Sequence, residues 1–191
     1  MRRVPGVVIA LVTNVNDPLG LGRIQLQFPW MDPDLRSWAR VAAPMAGSKR
    51  GAFFMPEVDD EVLVGFEHGD FNRPYVLGSL WNGVDKPPLT ASEAVKDGVV
   101  KRIFKTRAGH VIQLDDSSGQ EKIEIIDKSK KNKVIIDTAA NTIEISATRK
   151  IKLSAPEVEI SGETSVKISG AQIESNASGV QTIKGGTVQI N

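Results

Sequence analysis

The C-terminal third of the chain sets apolar residues in pairs two positions apart, Ile143/Ile145, Ile151/Leu153, Val158/Ile160 and Val166/Ile168, among Ser, Thr, Gly, Lys and Glu. Alternation at period two marks a strand with one face toward a core and the other toward water. The leading residues of successive units, Ile143, Ile151, Val158, Val166 and Ile173, are 8, 7, 8 and 7 positions apart, which is a repeat with one short strand per unit. A strand of about five residues spans roughly 17 Å, and a connection of two or three residues turns one corner only. Coils built by a single chain need about twenty residues or more. One chain therefore cannot enclose its own core with such units, whereas three chains can, each supplying one side of a triangular cross-section. The pattern predicts a trimeric, intertwined triangular β-helix over residues 122–191, with Ile143, Ile145, Ile151, Leu153, Val158, Ile160, Val166 and Ile168 facing the threefold axis. Ser161-Gly162, Ser169-Gly170 and Ser178-Gly179 supply the corners. The competing arrangement is a row of ordinary hairpins in a second sandwich, disfavoured by the lack of aromatics and of alternating turn types.

The N-terminal part reads differently. Strand-like runs "GVVIALVTNV", "GRIQLQFPW", "SWARVAAPM", "DEVLVGFEH" and "PYVLGSL" are separated by the turn-rich "NDPLGLG", "GSKRGAF", "MPEVD" and "HGDFNRP". Five short strands in so small a domain, residues 1–84, predict a closed barrel of the OB type, because closure removes edges that an open sheet would have to protect. An SH3-like barrel fits the same pattern. Residues 85–99 read as a linker, with a short helix in "TASEAVK" capped by Thr90 and Glu93. Residues 100–121 read as neck hairpins that turn at Arg107-Ala108-Gly109 and at Asp116-Ser117-Ser118-Gly119. The fold class is thus all-β.

Composition sharpens this division. Every aromatic residue lies at or before Phe104, so the two parts build their cores from different materials. The 191 residues carry a formal net charge of +1 and no cysteine, which excludes disulfides and cysteine-zinc sites. No long apolar run is present, and Met-Arg-Arg leads into a strand-like run and not into the apolar core of an export signal. Balanced charge argues against a nucleic-acid binder. The basic clusters are Arg2/Arg3 and Lys128, Lys130, Lys131 and Lys133, the latter read as a solvated turn. Asp59-Asp60-Glu61 and Asp115-Asp116 are carboxylate clusters beside turns, where Asp serves local hydrogen bonds. His68 and His110 are far apart and lack spaced ligand partners, so no metal, cofactor or catalytic residue is expected. Two alternatives remain on the residues alone. One is a polysaccharide-cleaving, tailspike-like enzyme, for which the stem lacks aromatic sugar platforms. The other is an OB protein that binds single strands through Trp30 and Trp38.

The ordered series Gly22-Arg23, Phe28-Pro29-Trp30, Trp38-Ala39-Arg40-Val41, Pro56, Asp60-Glu61-Val62, Gly69-Asp70, Arg73-Pro74 and Gly78 resembles the OB domain of the contractile-tail central spike family. That family takes in gp5-like phage spikes, baseplate assembly protein V and the VgrG spikes of type VI secretion. The following "KTRAGHVIQLDDSSGQEKIEI" resembles the family segment that leads from barrel to trimeric β-helix. The resemblance implies a homotrimeric, non-enzymatic spike that pierces a target membrane. Such a spike is assembled in the cytoplasm and carried on a virion baseplate or an injection particle, extracellular on delivery. This chain departs from the family in three ways. The sequence has no room for a VgrG-type hub ahead of Val7, so the hub is expected as a separate protein at the OB end, unless the chain is a fragment of a longer hub-spike fusion. The linker has no space for a lysozyme domain. No histidine follows His110, so the apical His-X-His iron site is missing and a blunt end is expected. In the family a PAAR-repeat tip protein covers such an end, and the resemblance places Val188, Ile190 and Asn191 at that contact.

Overall fold

The structure is a computed structural model that describes residues 3–189. Seven strands precede the linker: β1 (Val7–Asn14), β2 (Arg23–Gln27), β3 (Ser37–Val41), β4 (Ala46–Gly47), β5 (Arg50–Gly51), β6 (Glu61–Phe66) and β7 (Pro74–Ser79). Five of them close into a barrel in the order β1-β2-β3-β7-β6. All its pairings are antiparallel except β3 with β7, where Arg40 lies opposite Tyr75 and Val41 opposite Val76. That single parallel seam, with β6 returning to β1, is the OB arrangement. The strand runs expected from the sequence fall on these five strands.

The barrel closes because alternate residues of each strand are apolar and point inward. Ala10 and Val12, Ile24 and Leu26, Ala39, Val62 and Val64, and Val76 form its buried core together with Phe28. Phe28 plugs one end, with ring centroids 5.7 Å from Phe66 and 5.2 Å from Phe71. Trp30 leans on the same cluster at 5.6 Å from Phe28 while staying half exposed. β4 and β5 form a separate two-stranded arm between β3 and β6, an element that the short, polar "AGSKRG" does not announce through alternation.

The β1–β2 turn is organised by one carboxylate. Asp17 accepts hydrogen bonds from the backbone N–H groups of Leu19 (3.1 Å), Leu21 (2.9 Å) and Arg23 (3.2 Å), and pairs with the Arg23 guanidinium at 2.7 Å. Gly20 and Gly22, at φ +64° and +69°, give the left-handed steps that curl the chain around it. Arg23 also lies over the Trp38 ring at 5.4 Å, so the turn is tied to β3. The Arg23 guanidinium, helped by the backbone donors against the cost of burial, holds the Asp17 carboxyl well below the usual carboxylate range.

The linker contains α1 (Ala91–Ala94), capped by the reciprocal Thr90–Glu93 box. After it, β8 (Lys101–Lys105), β9 (Val111–Asp115), β10 (Lys122–Ile126), β11 (Lys133–Asp137) and β12 (Thr142–Ser146) form one five-stranded sheet in sequential order. The sheet runs without interruption across residue 122. The chain divides into two compact units, residues 1–145 and 146–191. In the second unit the described residues after Ser146 form no strand or helix, so the short strands expected there are not present in the single chain. The backbone instead bends at intervals. The bends begin at Thr148, Pro156, Glu163, Ala171, Ser178 and Gly186, which are 8, 7, 8, 7 and 8 residues apart. At one corner a Cβ on Gly162 would lie 2.6 Å from the Ser165 carbonyl oxygen, so only glycine fits.

Two outcomes test this account of the barrel. Phe28→Ala should lower its stability by about 3–5 kcal/mol, read from urea unfolding followed by tryptophan fluorescence. Because the folded Asp17 carboxyl ionises below its unfolded value of 3.8, its contribution is complete above that pH and disappears as pH falls further. Asp17→Asn should therefore lower the melting temperature at neutral pH and flatten the acid decline seen in the wild type.

Candidate functional site

The sheet of β8–β12 has two faces of opposite character. Cross-strand registers place Lys101, Asp115, Lys122 and Asp137 in one row, so charges alternate in sign from strand to strand. Lys101 pairs with Asp115 at 3.4 Å, and Lys122 with Glu124 of the same face at 3.2 Å. Asp115 is only 4% exposed. Burial alone would raise its pKa, yet Ser117 and Lys101 outweigh that cost and keep it below the usual value. Gln113, between these residues, donates to Glu124 at 3.3 Å, and Lys133 bonds Glu144 of β12.

The opposite face is apolar. One row runs Phe104–Ile112–Ile125–Val134, and the next runs Arg102–Leu114–Ile123–Ile136. Phe104, Ile112, Ile123, Ile125 and Ile136 are exposed. An apolar sheet face left open to water beside a charged face with buried carboxylates marks an interaction surface. Each aliphatic side chain there stands to gain about 1.5–3 kcal/mol if fully covered. The apolar row also reaches the barrel: Phe54 stacks on Phe104 with centroids 5.9 Å apart, and Arg107 pairs with Glu57 at 2.6 Å. Phe53, beside Phe54, is 80% exposed.

All eight residues assigned from the sequence to a threefold core are exposed in the single chain, from Val166 at 51% to Ile143 and Leu153 at 71%. Ile143 and Ile145 stand in β12, two positions apart, so they share one face of that strand. Ile151, Leu153, Val158, Ile160, Val166 and Ile168 lie between successive bends of the second unit. Val188 is exposed, and Ile190 and Asn191 lie outside the described residues. Sequence reasoning passed over Ile112/Leu114, Ile123/Ile125 and Val134/Ile136. The same spacing of two announces them, and their leading residues are 11, 11 and 9 positions apart up to Ile143, a lengthened form of the later repeat.

The residues weighed for other chemistry have structural partners. Asp60 accepts the Glu57 N–H at 2.8 Å, and Asp116 pairs with Arg102 at 2.6 Å. His68 occupies a 3-10 turn at φ +51°, and His110 Nδ1 accepts the Lys128 N–H at 3.3 Å. Among the described residues no group of three His, Asp or Glu side chains is placed to hold a metal ion. No helix among them is long and apolar enough to cross a membrane.

Comparison with known proteins agrees with the barrel. Residues 8–81 match the family described as the type VI secretion system/phage-baseplate injector OB domain. The type VI secretion system spike protein VgrG5 of Pseudomonas aeruginosa is 32% identical over 109 residues, 53% of this chain and 14% of that protein. VgrG3 of Vibrio cholerae, also a type VI secretion system spike protein, is 30% identical over 112 residues, 53% of this chain and 11% of its own length. The actin cross-linking toxin VgrG1 of Vibrio cholerae is 29% identical over 108 residues, 53% of this chain and 10% of its own length. The chain thus spans about one seventh or less of the relatives it matches. Over residues 8–81 the chain is thus similar to the injector OB domain, and through its N-terminal half it is similar to the VgrG-type spike proteins.

Proposed function

We propose that the chain is the structural central spike of a contractile injection apparatus or phage tail baseplate, working as a rigid homotrimer without enzymatic activity. The observation that carries this reading is the agreement of two periods. The apolar pairs recur at 8, 7, 8 and 7 residues in the sequence, and the backbone bends recur at 8, 7, 8, 7 and 8. Described residues that bend at each unit but form no strand within their own chain can take strand partners from neighbouring chains. Their exposed apolar pairs need the same neighbours. Three copies around an axis satisfy both needs at once. The similarity to VgrG spikes supports this choice of assembly.

In this reading the barrel docks on a hub and the stem carries axial force. A PAAR-repeat tip protein binds at the stem's far end, with Val188, Ile190 and Asn191 as the proposed contact residues. Sheath contraction drives this narrow body through the target membrane, and stiffness comes from strand pairing between chains. Nucleic acid has no part in the mechanism.

Ile160→Asp places three carboxylates near one axis, where desolvation and mutual repulsion oppose burial. Sedimentation velocity should then find single chains, and particles assembled with this variant should lack axial density below the baseplate. Glu159→Gln, on the outward side of the same unit, should leave both unchanged. A trimer that persists in Ile160→Asp would contradict the assignment.

A further inference from the structure

The antiparallel order of β8–β11 puts two turns that are distant in sequence at one end of the sheet: residues 106–110 and residues 127–132. They touch, since the Lys128 N–H donates to His110 Nδ1 and a Cβ on Gly109 would lie 3.9 Å from Lys128 Cβ. Between them and the flanking strand ends they gather Lys105, Arg107, Lys128, Lys130, Lys131 and Lys133. Arg107 is paired with Glu57, and Lys133 with Glu144. Lys105, Lys128, Lys130 and Lys131 are exposed and make no ion pair among the described residues.

The nearest carboxylate is committed elsewhere. Asp127 takes the Ser129 hydroxyl at 2.7 Å and the Asn132 side chain at 2.8 Å. The Ser129 hydroxyl, against a cost of burial, and then Asn132 hold its pKa down to about 2. It therefore braces the turn without pairing with a lysine, and its single negative charge is outnumbered by Lys105, Lys128, Lys130 and Lys131. Asp116, Glu121 and Asp137 all stand at the opposite end of the sheet, where Lys101, Arg102 and Lys122 are their neighbours, so they do not offset the lysines of these two turns.

We infer that this end of the sheet is a docking surface for the phosphate headgroups of an anionic lipid bilayer. The lysines stand on protruding turn tips and not in a groove, neither turn holds a Phe, Tyr or Trp to stack on a base, and the one ring there, His110, is tied to the Lys128 N–H. Mobile point charges on turn tips suit a broad, diffuse array of phosphates, where each lysine near the surface strengthens binding roughly fivefold. Single-stranded nucleic acid, which needs stacking platforms and a groove, fits less well. The surface belongs to one copy of the chain and does not depend on the trimer. On a spike it would engage headgroups of the membrane being crossed.

The test is co-sedimentation of the full chain with phosphatidylcholine vesicles, with and without phosphatidylglycerol, at low and moderate salt. Binding should require phosphatidylglycerol and weaken as salt rises. The triple variant Lys128→Gln, Lys130→Asn, Lys131→Gln should bind at least about tenfold more weakly. Asn is chosen at residue 130 because φ there is +61°. The control triple Lys152→Gln, Lys167→Gln, Lys184→Gln makes the same change in net charge and should bind as the wild type. Lys105→Gln with Lys128→Gln leaves position 130 untouched and should also weaken binding, which covers misfolding of the first triple. Equal binding to both vesicles, no binding to either, equal loss in both triples, or tighter binding of a single-stranded oligonucleotide would overturn the inference. Molar mass in the same buffer separates this outcome from the trimer: a monomer that still binds anionic vesicles upholds the surface and refutes only the assembly.

Discussion

A strand with one apolar face has to find something to cover it, and the three parts of this chain meet that demand differently. The barrel covers its inward residues by closing on itself, so Val62, Val64 and their neighbours never meet water. The sheet of β8–β12 pairs its backbone within the chain but leaves its apolar face open. Beyond Ser146 the described residues form no strand, and their apolar pairs are exposed. Along the chain there is thus a graded loss of self-sufficiency, and the proposed assembly of several copies is what would cover the later parts.

The charged side of the sheet decides which face is free. Along the row Lys101, Asp115, Lys122 and Asp137 the signs alternate, with Lys101 paired to Asp115 and Lys122 to Glu124, which like charges in the same places would not allow. That face is stable against water and has no need of a partner. The apolar face has no such compensation. Its contact with the barrel through Phe54 and Phe104 carries the open surface up to the arm, beside which a cleft of about 550 Å³ is lined by Leu21, Met45, Phe53 and Phe54.

Much of this was legible in the residues. The five barrel strands follow from alternation between Gly-, Pro- and Asp-rich turns, and the capped helix follows from Thr90 and Glu93. The repeat of seven and eight is plain in the spacing of Ile and Val, and it reappears as backbone bends. What stayed hidden has physical reasons. The β4–β5 arm is four short residues without alternation, held by backbone pairing alone. Asp17 looks like any turn aspartate until the chain is seen curled around it. The basic end of the sheet needs the strand order to bring His110 and Lys128 together across eighteen positions. Alternation also cannot say whether an apolar face is covered, which is why Ile123/Ile125 and Val134/Ile136 stood outside the expected core.

All of this depends on the apolar pairs being buried between copies of one chain. The most direct measurement is the molar mass of the purified protein in solution by light scattering, at neutral pH and across a dilution series. The account predicts a single species at about three times the chain mass of 20.7 kDa, unchanged on dilution. A stable, folded monomer at 20.7 kDa would contradict it.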